Sequence, residues 1–199
     1  MRIFLIFIII LLPVGIIGCQ KETEKSEQVS INHQIIISKE FQVNSDSTDL
    51  NTSVKGTIFL SGEESAVERA QIVAMINIDP EDWGGVMFSI HKNWNISSFT
   101  SSYPEDENEE NPEDYVSVWT TTEETRHGHN KMIEIGRGHQ RWTPTGGGGG
   151  TVVIELVRNK ESIPTSDVFS LTVGVGSEES DGIKSAHPDW KMIEIPIPH

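Results

Sequence analysis

The chain has 199 residues, with 15 Lys and Arg against 30 Asp and Glu, and a formal charge of −15. An acid surplus of this size argues against nucleic acid or anionic headgroups as the main partner, because both need a basic face. A single cysteine excludes a disulfide framework, so stability rests on an apolar core that the length is sufficient to build.

First in chain order is Met1-Arg2, followed by an apolar run from Ile3 to Ile17 that is broken by Pro13 and Gly15 and closed by Gly18-Cys19. A helix crossing a bilayer needs about 20 apolar residues. This run is short for a permanent span and suits the apolar region of a cleaved export signal. The competing readings are a short N-terminal membrane helix, against which the run's length weighs, and a buried helix whose cysteine is incidental. Gly18 sets a small side chain beside the bond preceding Cys19. The ending Ile16-Ile17-Gly18-Cys19 resembles the lipobox of bacterial lipoproteins, with Ile16 where Leu is usual. The resemblance is confined to residues 1–19. It implies cleavage before Cys19, a diacylglycerol thioether on the Cys19 sulfur, acylation of the freed amine, and anchorage on the extracytoplasmic face of a cell membrane. A buried methylene contributes about 0.8 kcal/mol and one acyl chain holds marginally, so two or three chains make attachment stable.

Residues 1–18 thus read as signal peptide, and residues 19–30 as the lipidated cysteine and a tether. From Gln20 to Gln28 the tether is polar and charged, a composition that cannot bury enough surface to offset ordering entropy. Residues 31–199 read as one domain of short, alternating apolar segments. Val86, Phe88 and Ile90 alternate with Met87, Ser89 and His91. Val152, Ile154 and Leu156 alternate with Val153, Glu155 and Val157, and Phe169, Leu171, Val173 and Val175 with Ser170, Thr172 and Gly174. Period two places one set on a core face and the other outside. Further strands are expected over Ile35–Val43, Val54–Leu60, Ile72–Ile78, Tyr115–Thr121, Lys131–Ile135 and Met192–Ile197. Turn signals separate them at Ser61-Gly62, Asp79-Pro80, Gly84-Gly85, Asn111-Pro112, Gly146–Gly150 and Asp181-Gly182. About nine strands without a long helical pattern predict an all-β fold, a β-sandwich of immunoglobulin-like architecture. Glu63–Ala70 spells a short capped helix after Ser61, or else a polar loop. Lys131–Ile135 recurs letter for letter as Lys191–Ile195, which shared strand chemistry explains without a duplicated domain.

Three groups of residues point to chemistry. His127 and His129, two apart on a strand, would face the same side, and His139 would join them if the chain reverses at Gly136 and Gly138; zinc wants three or four such ligands. The acidic run Glu105–Asp114 has enough oxygens for calcium but lacks the spaced acidic loop that wraps one ion, and Asp79, Glu81 and Asp82 would add to it only if the fold brought them near. The bland reading of both groups is solvated polar loop. Five tryptophans form the third group. Trp83 and Trp142 sit in turn contexts that favour exposure, and an exposed ring stacks on a sugar face; Trp119, alternating with valines, is expected to be buried. Core packing is the competing reading for all five.

The five-glycine run enters a strand rather than a Lys-Ser/Thr helix start, which excludes a phosphate loop and suggests a flexible connection. No nucleophile elbow, zinc-protease helix or Cys–His pair is present, so no enzyme is expected. The expected role is a non-catalytic binding or interaction module of the envelope, held to the membrane through Cys19. Its partner is an envelope protein or polysaccharide, not nucleic acid. The alternatives are a carbohydrate-binding module using Trp83 and Trp142, or a metal-binding lipoprotein using His127, His129 and His139 or the acidic loop. No cofactor is otherwise implied.

Overall fold

The computed structural model describes residues 34–63, 66–105, 115–122, 128–159 and 168–198. The signal segment, Cys19, the tether, His127 and residues 106–114 of the acidic run lie outside the described residues. Ten strands are present: β1 (Gln34–Asn44), β2 (Ser53–Glu63), β3 (Ala66–Ile78), β4 (Val86–His91), β5 (Trp94–Ser101), β6 (Val116–Thr120), β7 (His129–Ile135), β8 (Gly148–Arg158), β9 (Val168–Ser180) and β10 (Ile183–Pro196). They form two antiparallel sheets of five, ordered β1-β2-β3-β8-β5 and β10-β9-β4-β7-β6. The alternation read from the sequence is what packs them together. Ile58, Leu60, Ile72, Ile154 and Leu156 of the first sheet meet Phe88, Ile90, Ile133, Phe169 and Leu171 of the second, all fully buried. Each such side chain contributes about 1.5–3 kcal/mol by leaving water.

The connectivity is that of an immunoglobulin-type sandwich with additions. Without β1 and the β6–β7 pair, the strands run β2-β3-β8-β5 in one sheet and β10-β9-β4 in the other. This is the A-B-E-D and G-F-C order of the constant-type domain. The β6–β7 pair is inserted between the fourth and fifth strands of that plan and widens the second sheet beside β4.

One strand adds to the about nine expected, and two local expectations need correction. The strand count is ten because β5 was hidden: a bulge between Ile96 and Ser98 sets the core-packed Ile96 and Phe99 three residues apart, which erases period two. Ala66–Ala70 is extended, not helical, as the start of β3. Val67 and Ala70 are buried there across a register shift at Ser61-Gly62, so the capped-helix spelling is overridden by packing. The glycine run is not a loose connection either. Gly148, Gly149 and Gly150 belong to β8 and pair with Ile78, Asn77 and Ile76. On their other side Gly149 O accepts the Glu105 N–H at 3.1 Å, and Ser102 N–H reaches Thr151 O at 3.0 Å. The reason for glycine is close approach: a Cβ on Gly150 would stand 2.7 Å from the Cβ of buried Tyr103.

The two copies of Lys-Met-Ile-Glu-Ile lie in β7 and β10 of the same sheet and run in opposite directions. Ile133, Ile135, Ile193 and Ile195 all point into the core. Asp181 and Gly182, with φ of 53° and 76°, make the two-residue turn between β9 and β10.

The glycine clamp is testable. Gly150→Val introduces a better strand former, yet we expect it to lower unfolding free energy by about 1–3 kcal/mol through overpacking against Tyr103. A urea midpoint unchanged or raised would show the run to be a passive connector.

Candidate functional site

The connection between β3 and β4 organises one end of the second sheet. Asp79 caps it: Oδ1 accepts the Glu81 N–H at 3.0 Å and Oδ2 the Asn51 N–H at 2.9 Å. These backbone hydrogen bonds hold the Asp79 carboxyl below its ordinary value of 3.8. Asp82 is completely buried. Its Oδ2 accepts from Thr52 Oγ at 2.5 Å, while Oδ1 accepts from Ser177 Oγ at 2.6 Å and from the Gly84 N–H at 2.8 Å. Thr52 leads into β2 of the first sheet and Ser177 lies in β9 of the second, so one carboxylate ties the two layers. Ser177 Oγ also accepts the Trp83 N–H at 3.2 Å, which fixes that ring in place.

The next piece is His187, in a bulge of β10 between Ala186 and Asp189. Its φ of 55° is uncommon for a side-chain-bearing residue. The Nε2–H donates to Gly84 O at 2.9 Å, which identifies that nitrogen as protonated. The side chain lies over Gly174, where a Cβ would come within 2.8 Å of the His187 Cβ and 3.0 Å of the Met87 Cε. Burial pushes the His187 pKa below its ordinary 6.5 and outweighs the nearby Glu134 carboxylate, which pulls it the other way.

Between this bulge and β6, the outer face of the second sheet sinks into a cleft of about 470 Å³. Met87 and Ser89 of β4 and Met132 and Glu134 of β7 form the floor, neighbours by register. Trp119 of β6 rises at one edge, opposite Met132, and Trp190 of β10 at the other, opposite Gly174. Glu134 is buried, yet both of its oxygens are engaged: Oε1 by Arg137 Nη1 at 2.7 Å and Oε2 by Arg141 Nη2 at 3.4 Å. The Arg141 guanidinium stands 4.2 Å from the centre of the Trp119 ring, a cation–π contact. Arg137 lies 5.4 Å from the Trp142 ring, and Lys184 lies 5.9 Å from both the Trp83 and Trp142 rings. Lys131 also lines the cleft, and burial lowers its pKa from the ordinary 10.5. A hollow of about 620 Å³ on the outer face of the first sheet has Gln42, Lys55, Thr57 and Met75 in its lining, and its one aromatic residue, Phe41, is buried.

No family model matches this chain, and neither a curated protein nor a solved structure matches it significantly. The site therefore has to be read from its own geometry.

Of the residues singled out in the sequence, Trp142 is exposed as expected, but Trp83 is buried. The Asp82–Ser177 bonds hold Trp83 inward, where it packs edge-on against Trp142 at 4.9 Å and 68°. The two do not make a flat platform. Trp119, expected to be buried, is 39 % exposed, because on edge strand β6 it faces outward opposite Met132. Trp190 was not singled out and is the most exposed tryptophan at 59 %; its neighbours Asp189 and Lys191 carried no aromatic pattern. Trp94 packs in the core against Phe169.

His129 is buried at the start of β7, with Ser170 Oγ 3.3 Å from Nε2, Thr172 Oγ 3.5 Å from Nδ1 and the His91 ring 5.9 Å away. Gly128 before it has φ of 73°, so the extended run does not continue back past His129. His139 lies in the exposed segment after β7. Among the described residues no three His, Cys, Asp or Glu side chains gather as a metal site. Glu105 is bonded to Ser102 and Gly149, and Asp82 has both oxygens committed to the sheets.

Two outcomes follow from this geometry. Arg137→Ala strands the buried Glu134 carboxylate and should lower stability by about 3–5 kcal/mol, whereas Glu134→Leu with Arg137→Met should recover most of that loss; urea denaturation of both variants checks it. Burial makes His187 harder to protonate in the fold than in the unfolded chain, whose imidazole takes a proton near 6.5. Its share of stability is therefore complete above that pH and lost as pH falls below it, by at most about 1.4 kcal/mol per unit. His187→Asn, which tolerates the positive φ, should flatten the stability curve between pH 7 and 5. A slope identical to that of the parent protein would remove His187 as the acid-sensitive group.

Proposed function

We propose that this protein is a non-catalytic binding module, lipid-anchored on the extracytoplasmic face of a cell membrane, and that its cleft holds a polysaccharide chain of the envelope. The Ile-Ile-Gly-Cys ending and the polar stretch after it support the anchor and the tether. The observation that carries the binding role is the rim of the cleft: Trp119 and Trp190, 39 % and 59 % exposed, line one depression, and Trp142, 48 % exposed, lies beyond its Arg137 wall. Large aromatic rings left in water cost free energy in the unbound protein, and clustered exposed apolar surface marks an interaction site. Indole faces suit the C–H faces of sugar rings. Trp119 and Trp190 sit on the two edge strands of the second sheet, four strand spacings or about 19 Å apart, a separation suited to a chain rather than to a single ring.

The polar groups of the floor support a role in holding rather than reacting. Glu134 is engaged by Arg137 and Arg141, and His187 donates to a backbone carbonyl. Two measurements test this reading. Trp190→Ala, at an exposed position that the fold does not need, should weaken binding to polysaccharide extracted from the parent cell envelope about five- to tenfold. No loss by fluorescence titration would move the ligand off this face. Intact-mass analysis of native protein should find residues 1–18 gone and a diacylglycerol adduct on Cys19, and Cys19→Ser should abolish the adduct. An unmodified sulfur with the first 18 residues still attached would refute the anchor.

A further inference from the structure

We infer that the polysaccharide taken by this cleft is acidic, with a sugar carboxylate meeting the Arg141 guanidinium while the ring's apolar face lies against tryptophan. This rests on the polysaccharide reading above and narrows it to a ligand class. The chain as a whole carries −15, yet Lys131, Arg137 and Arg141 line the cleft against the single carboxylate of Glu134. Glu134 is shared between two arginines and takes only one N–H from each, at 2.7 and 3.4 Å. An arginine offers five N–H donors. Arg141 therefore keeps most of its donors for another acceptor, and its side chain is 45 % exposed. Arg137 is more than nine-tenths buried, and its Nε has no acceptor among the described residues.

Lys131, Arg137 and Arg141, gathered around one apolar-lined cleft, repel one another, and burial leaves Lys131 and Arg137 poorly hydrated. An arriving carboxylate relieves both costs. The planar guanidinium fork matches a carboxylate with two parallel hydrogen bonds. Trp119 already holds the Arg141 head at 4.2 Å, so little side-chain freedom is lost on binding. The acid surplus elsewhere does not prevent this. At physiological ionic strength charges beyond about 8 Å are largely screened, and the cations of the cleft decide which ligands enter.

The experiment uses the full chain in detergent, titrated calorimetrically with oligogalacturonate and oligomannuronate and with the methyl ester of each, which keeps the ring and removes the charge. We expect each acid to bind at least tenfold more tightly than its ester, as the loss of a charge-assisted hydrogen bond requires. Arg141→Gln should bring the acid-to-ester ratio close to one, and Arg141→Lys, which keeps the charge without the fork, should leave an intermediate ratio. Trp190→Ala should weaken acid and ester alike. Equal affinity for acid and ester, or binding of a neutral envelope polysaccharide with neither acid bound, overturns the acidic-ligand inference and leaves the polysaccharide reading standing. Silence toward all four probes and toward native envelope polysaccharide overturns both.

Discussion

The buried carboxylate of Asp82 is the constraint on which the rest of the molecule depends. It accepts from Thr52 at the foot of one sheet and from Ser177 in the other, so it sets how the two layers meet at that end. Through the Gly84 amide and the Trp83–Ser177 bond it also fixes the conformation of the connection it sits in. That conformation aims Gly84 O at His187, which holds the β10 bulge over Gly174 and the wall of the cleft upright. The same connection holds Trp83 against Trp142. A carboxylate in a dry interior is costly unless its lone pairs are filled, and here three neutral donors fill them. The stability of the sandwich and the shape of the cleft are thus coupled through one residue.

Seven strands of the domain follow the plan of an immunoglobulin-type sandwich, and they supply half of the cleft: Met87, Ser89, Ala186, His187 and Trp190. The inserted β6–β7 pair and the segment after it supply the other half, with Trp119, Met132, Glu134, Arg137 and Arg141. Every cation that lines the depression comes from the insertion and the segment after it. The frame provides rigidity and the insertion provides chemistry, the division expected when a site is built on a common fold. The Glu134–Arg137 pair at their junction keeps the insertion's guanidinium groups in a defined geometry that free surface arginines would not have.

The fold was largely legible in the sequence because period two survives wherever a strand has one face on the core, as in Phe169–Val175. It failed where a bulge broke the period, in β5 at Ile96–Ser98 and at the start of β3. It failed again where glycine was selected for close approach and not for flexibility, at Gly148–Gly150. The site was harder to see. Trp142 was visible from its turn context, but the exposure of Trp119 depends on β6 being an edge strand, and the burial of Trp83 depends on Ser177, distant in the chain. Arg137 and Arg141 carried no local signal at all. Their meaning comes from Glu134, a residue whose alternation with Ile133 and Ile135 marks only an outward-facing position.

The bulges have a consequence beyond the cleft. A sandwich has four open margins, here β1, β5, β6 and β10, and an unpaired margin invites another chain to add itself. β1, β5 and β10 each carry a register break, at Ile35–Ile37, Ile96–Ser98 and Ala186–Asp189. β6 is only five residues long. No long margin runs its full length in one register, and the unbroken stretches of β1 and β10 are eight residues each, Ile37–Asn44 and Asp189–Pro196. Edge-to-edge pairing between copies is thereby discouraged at every margin of the sandwich.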